Sequence, residues 1–355
     1  MKHSLNRSRG FSLVELIVAM TIGSFLIIGA VFVYSQSRSS FSLNEAQARL
    51  QENARYVLSV MEPEIQLAGY YGFTNTPGDF RFLDPDTGTE TYITNLRQDD
   101  PVFADVPVDA QACGDNLVTD LFMTVQGADD RYDFAPNGSD CAAEGGGAQA
   151  GADTLVLRRL SVDTAAPDGT RLQAFVSRLS PVNNLIFFDN VTPRPLVAGD
   201  DEVRNLVLQG YYISQDSDGF DGLPALRRKS LVAGPDFIDE EIMRGVEDMQ
   251  VQFGIDIGDD RDGDGAPDDM GGDGLADWVD GNATRYVDPE DPILSSAQVV
   301  SVRIWFRIRA EQPEMGFVNN TQYVYGSTDF TANDNFRRIV VSRTIQLRNA
   351  RSLTG

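Results

Sequence analysis

The sequence predicts an α+β protein, in which one very long amino-terminal helix packs on a mainly antiparallel β-sheet head with extended loops. Three observations predict it. Phe11 to Tyr34 is an almost unbroken apolar run, small and apolar residues recur at spacings of three and four from Leu43 to Ile65, and short alternating segments follow from Thr154 onward. The middle pattern has the 3.6-residue period of a helix, and the last has the two-residue period of a strand.

Residues 1–10 carry Lys2, Arg7 and Arg9 and end in Gly10. The run over 11–34 is long enough for a membrane-spanning helix, which needs about 20 residues. The basic flank sets its amino end on the cytoplasmic side. A secretory signal peptide would have a shorter apolar region with a small-residue cleavage site beyond it. Ser35-Gln36-Ser37-Arg38 supplies no such site, so the junction suited to processing is Gly10-Phe11.

Glu15 sits four positions inside the apolar run. An unpaired carboxylate there costs about 2.5–3.5 kcal/mol on insertion scales. The helix N-terminus relieves part of that cost. The free amine of a cleaved Phe11, presented by a neighbouring subunit, would supply a full opposite charge.

The helical pattern continues through Leu43, Ala46, Leu50, Ala54, Val57, Met61 and Ile65, with polar residues on the opposite face. A helix over 11–68 is expected, with Pro63 kinking it or ending it within a turn and Gly69 as the stop. Gly23 and Gly29 offer small surfaces for close helix approach. The head then occupies 69–355. Residues 74–151 read as loop-rich, with a short ordered piece over Leu117 to Val125 and a glycine-rich loop tip after Cys141. Strands are expected over Thr154–Leu160, Asn184–Phe188, Leu206–Ile213, Met249–Ile257, Val300–Arg309 and Arg337–Leu347. In the last two, Val302, Ile304, Phe306 and Ile308, then Ile339, Val341, Ile345 and Leu347, face inward.

The 355 residues carry a net charge of −24, and loss of the leader would remove three more positive charges. Such a surface disfavours nucleic acid as a partner. Two cysteines, Cys113 and Cys141, form a disulfide if the chain is exported, the alternative being two free thiols. The single histidine, His3, lies in the leader. Histidine-dependent catalysis and His-ligated zinc are therefore excluded from the processed chain, which reads as a non-enzyme.

Gly10-Phe11-Ser12-Leu13-Val14-Glu15, with its basic leader and long apolar run, resembles the class III signal of type IV pilins and pseudopilins. The resemblance implies a type IV pilin-like fold, cleavage after Gly10 by a prepilin peptidase, methylation of Phe11, and a docking role for Glu15 in the growing filament. Ala68-Gly69-Tyr70, Gly222 to Arg228, Gly245 to Gly254, Val300 to Arg303 and Arg337 to Asn349 extend the likeness to PilW-type minor pilins. These prime pilus assembly and sit at or near the pilus tip. The implied partners are other minor pilins, the major pilin, the inner-membrane assembly machinery and a tip adhesin. The implied location is the inner membrane with the head in the periplasm, then the pilus. A type II secretion pseudopilin or a calcium-dependent adhesin module at the tip are the alternatives.

An acidic loop lies between two of the expected strands. Asp260, Asp262 and Asp264, then Gly265 and Asp268, have D-x-D-x-D-G-x-x-D spacing, and Asp273 and Asp277 repeat its second half. Hard oxygen ligands converging around a glycine turn suit Ca²⁺. The segment resembles the calcium loops of thrombospondin type 3 and dockerin-like repeats. It is not an EF-hand, because the twelfth position is Gly271. The alternative is a solvated acidic loop that keeps a sheet edge soluble. Asp216 to Gly222 is a second, weaker run of the same kind.

Overall fold

A computed structural model describes residues 12–74, 80–84, 88–92, 113, 117–118, 120–134, 141–257, 282–295 and 297–350. Gly10 and Phe11 and the acidic-loop residues Asp260, Asp262, Asp264, Asp268, Asp273 and Asp277 lie outside the described residues.

Helix α1 runs unbroken over Leu13–Leu67, 55 residues. Pro63 lies within its last turn or so, and the chain leaves the helix at Gly69, where φ is +75°. That left-handed conformation favours glycine, and the Gly69 N–H donates to the Arg158 carbonyl at 2.9 Å. By packing, residues 1–51 and 52–355 form two separate compact units. In the first, the apolar side chains from Leu13 to Tyr34 are exposed. Thr21 and Ser24 there donate their hydroxyls to the carbonyls of Ile17 and Met20, at 2.7 and 2.8 Å. Polar side chains so satisfied are compatible with a lipid or helix-packed setting.

In the second unit the remaining turns of α1 bury Ala54, Val57, Met61 and Ile65. The strands that follow are β1 Arg81–Leu83, β2 Glu90–Tyr92, β3 Val125–Ala128, β4 Thr154–Thr164, β5 Gln173–Ser177, β6 Leu185–Phe187, β7 Asp201–Ser214, β8 Ala225–Val232 and β9 Asp236–Arg244. They form one sheet in the order β2-β1-β6-β5-β7-β4-β3, with β8 pairing β7 and β9 pairing β8. Every pairing is antiparallel except β1 with β6. The long β7 pairs β5 through its first residues and β8 through its last.

A second antiparallel sheet is built from β10 Val246–Asp256, β11 Arg285–Val287, β12 Gln298–Arg309 and, after a hairpin of β13 Gln322–Tyr325 and β14 Thr328–Thr331, β15 Arg338–Gln346. Its order is β11-β10-β12-β15. Val302, Ile304, Phe306 and Ile308 are all fully buried on one face of β12, as their alternation predicts. On β15 the outcome is mixed: Ile345 and Leu347 are buried, whereas Ile339 and Val341 are only half-buried. β15 has a hydrogen-bonded neighbour in this sheet on one side only, so the whole strand lies at an edge.

The described residues of the 74–151 region hold only the short strands β1, β2 and β3, yet they contribute to the core. Phe80 and Phe82 beside β1, Leu117, Leu121 and Phe134 join Val156, Leu160, Leu208 and Tyr212 in one buried cluster. Cys113 and Cys141 are bonded to one another inside it, with Cα atoms 5.0 Å apart. Closing this loop, with a sequence separation of 28, is worth about 3.6 kcal/mol in the chain-entropy model.

Candidate assembly site

The start of α1 explains how Glu15 is held. Ser12 and Glu15 have the S-x-x-E spacing of a capping box. The Ser12 hydroxyl accepts the Val14 N–H at 3.2 Å, and Glu15 Oε2 accepts the Ser12 N–H at 3.3 Å. Two backbone donors that the helix itself cannot satisfy are thereby engaged. Sequence reasoning weighed Glu15 as a membrane carboxylate and a docking residue and missed the cap, although the serine three residues earlier signals it. Gly23 and Gly29 have open space where a Cβ would stand.

At the other end of α1, polar clamps flank the buried stripe. Arg159 of β4 reaches Glu64 at 2.7 Å, Arg343 of β15 reaches Glu62 at 3.0 Å, and the Arg348 N–H donates to the Gln66 carbonyl at 3.2 Å. Successive β4 residues point to opposite faces. Arg159 therefore meets the helix while Arg158 enters the other layer. There Arg158 donates to the carbonyls of Leu117 and Met123 and to Gln126 Oε1, at 2.6, 2.6 and 2.7 Å. Burial pushes its guanidinium pKa down, and the Asp120 charge opposes that.

Two further buried ionic groups fasten loops to the sheets. Arg227 on β8 donates to Asp239 at 2.7 Å, Asp218 at 2.8 Å and Glu144 at 3.2 Å, while Lys229 pairs with Asp239 at 2.8 Å. Within the weaker acidic run, Asp218 turns to Arg227, and Asp216 Oδ1 accepts the Gly222 N–H at 2.5 Å. On the second sheet, Glu247 accepts from Arg307 at 3.0 Å and from Arg338 at 2.6 and 2.9 Å. Arg307 also donates to the Tyr325 hydroxyl at 2.6 Å, and that hydroxyl donates to Asp248, which ties down the β13–β14 hairpin. Burial alone would raise the Glu247 pKa, but the hydrogen bonds and charges of Arg338 and Arg307 outweigh it and hold the carboxyl below its usual range.

Among the described residues, one group of three carboxylates has the spacing of metal ligands: Asp129, Asp130 and Asp153. None of them was singled out from the sequence, where 23 positions separate Asp130 from Asp153.

A family model described as Type IV Pilus-assembly protein W, PilW, matches residues 210–349, from the end of β7 to just past β15. A second, the prokaryotic N-terminal methylation motif, matches residues 5–31 and so covers the leader, the Gly10-Phe11 junction, Glu15 and the apolar first turns of α1. No curated protein and no solved structure matches the chain. The pilus-assembly family points to a structural rather than a catalytic role. The methylation motif and the apolar helix make the protein a membrane-anchored pilin that is later assembled into the pilus. The long helix on antiparallel sheets is the α+β, pilin-like fold that the sequence predicts. A prepilin-type amino terminus and a PilW-type head on one chain together support a PilW-like minor pilin of the type IV pilus.

Proposed function

We propose that this pilin is cut between Gly10 and Phe11 by a prepilin peptidase, methylated on Phe11, and used with other minor pilins to prime pilus assembly at or near the tip. The observation that carries this is the pairing of a methylation motif with a PilW-type head on a single chain. Glu15 docks the subunit: held by its own helix cap, it presents a carboxylate for the Phe11 amine of the neighbouring subunit. The apolar face of α1 then exchanges lipid for the helices of other pilins and the major pilin, under the inner-membrane assembly machinery. The PilW match favours the pilus over a type II secretion system.

The test is mass analysis of the amino terminus of protein purified from its own host. A chain beginning at N-methylated Phe11 is the expected result. An intact leader, or a cut beyond Tyr34, ends the proposal.

A calcium site in the acidic loop is a second proposal, with Asp260, Asp262, Asp264, Asp268, Asp273 and Asp277 as ligands. What favours it, besides their spacing, is the stem: Ile255 of β10 pairs with Arg285 of β11, so the two ends of the loop start from adjacent strands. Ca²⁺ at a hundredfold excess over its dissociation constant would add about 2.7 kcal/mol to stability. A melting temperature that rises with millimolar Ca²⁺ and falls with chelator is expected. An unchanged melt removes calcium from the account.

A further inference from the structure

The β4–β5 loop, the residues after β6 and the first half of β7 enclose a polar hollow beyond both family matches. Ala165, Ala166 and Pro167 supply apolar surface, and Asp168, Arg171, Asn190 and Asn205 supply polar groups. Its volume is about 390 Å³. Sites for small molecules occupy about 300–1,000 Å³ and are mostly apolar. The size of this one is ordinary, and its polarity is not.

The loop is fixed by its own hydrogen bonds. Gln173, 1% exposed, gives its whole amide to the task. Its Oε1 accepts the Asp168 N–H at 2.8 Å, and its Nε2 donates to the Ala166 carbonyl at 2.8 Å and to Asn205 Oδ1 at 2.9 Å. Asp168 Oδ1 accepts the N–H and the hydroxyl of Thr170, at 2.9 and 2.7 Å. The Gly169 N–H donates to Asn190 Oδ1 at 2.9 Å, and the Ala165 N–H donates to the Val203 carbonyl at 2.7 Å.

These bonds engage one end of each side chain and leave the other end open. The Oδ1 atoms of Asn190 and Asn205 are taken, while neither Nδ2 has a partner among the described residues. Asp168 Oδ2 stands 3.9 Å from Arg171 Nε, beyond hydrogen-bond range, so both keep capacity to spare. The hollow thus offers two amide donors, a guanidinium and a carboxylate oxygen, with its charges balanced. An anion would meet Asp168, and a cation would meet Arg171. An apolar ligand would strip water from all four groups and return no bonds. A hydroxyl both donates and accepts. A ring with several adjacent hydroxyls therefore satisfies both kinds of group, and its C–H surface suits the Ala165–Pro167 stretch.

We propose that this hollow binds a neutral pyranose unit of a glycan. Arg171 and the amide nitrogens of Asn190 and Asn205 donate to sugar oxygens, and Asp168 Oδ2 accepts from a sugar hydroxyl. The loop is held in place before the sugar arrives, so little ordering is left for binding to oppose. The site belongs to the folded head alone. It does not depend on cleavage at Gly10-Phe11 or on a role in priming, and failure of either would leave it standing.

The experiment is saturation-transfer NMR on the full chain in zwitterionic micelles, because a sugar-headed detergent would itself fill the site. The probes are the methyl glycosides of glucose, galactose and mannose, which stand in for the end of a glycan. At least one should bind with a Kd of about 1 mM, and equal concentrations of acetate or phosphate should not displace it. Ala166→Trp fills the hollow without removing a bond, since Ala166 is exposed and engages Gln173 only through its carbonyl. It should abolish binding. Arg171→Ala should weaken it at least about tenfold, the worth of one hydrogen bond to a charged group. Val324→Trp on the β13–β14 hairpin, where Val324 is 70% exposed, should bind as the wild type does. A thermal melt of each variant separates lost binding from lost fold. The proposal falls if no glycoside receives saturation or if acetate or phosphate displaces it. It falls equally if Ala166→Trp or Arg171→Ala binds like the wild type, or if Val324→Trp loses binding as they do.

Discussion

Glu247→Ala is expected to cost the head about 3–5 kcal/mol at neutral pH, the range for removing one partner of a buried ionic network. The carboxylate lies against Arg307 and Arg338, and Arg309 is 3.9 Å away. Its loss leaves these guanidiniums in a buried site with Asp248 and Asp334 as their remaining acidic partners. The same deletion loosens the β13–β14 hairpin, because Arg307 both donates to Tyr325 and stacks over Phe330 at 3.8 Å. The effect has a definite pH dependence. A carboxyl whose folded pKa is depressed contributes stability above its unfolded value of about 4.3 and loses it as pH falls through the folded value. The gap between wild type and variant should therefore narrow on acidification below about pH 4. Denaturant midpoints across that range check it, and a gap independent of pH would mean that Glu247 acts through packing alone.

Met61→Ala is expected to lower stability by about 2–5 kcal/mol, because its side chain is fully buried and the space it leaves can close only in part. Phe25→Ala on the same helix should leave the denaturation of the head unchanged, since Phe25 is 71% exposed. Its effect belongs to assembly instead, read as pili displayed per cell. If Phe25→Ala destabilised the head as much as Met61→Ala, the separation of α1 into an outward-facing half and a core half would be wrong.

That separation was legible in the sequence, because an apolar run without polar spacing and a stripe at spacings of three and four have different physical meanings. β4, β7, β10 and β12 were legible for the related reason that their inward positions are apolar. β8 and β9 were not. Their Arg227 and Lys229 carry no apolar pattern, yet both are buried, paired with acids that β9 and two loops bring from elsewhere in the chain. No local pattern reports a charge neutralised at long range. The 74–151 region was legible as irregular backbone but not as core, because its core contribution comes from single aromatic and aliphatic residues that leave no period. Among the site residues, the Ser12–Glu15 cap was visible as spacing and the group Asp129, Asp130 and Asp153 was not, since it depends on β3 pairing with β4.

The clamp between Glu62 and Arg343 joins residues 281 positions apart. Until β15 has emerged from the export channel, the face of α1 carrying Val57, Met61 and Ile65 lacks its final flank. The first element of the head to be synthesised is thus among the last to be enclosed, and non-local closure of this kind is slow. A nascent chain of this pilin is therefore expected to hold an uncovered apolar stripe until its last strand is made. Anchoring by the preceding turns keeps that stripe at a surface and limits encounters in which two unfinished heads would aggregate.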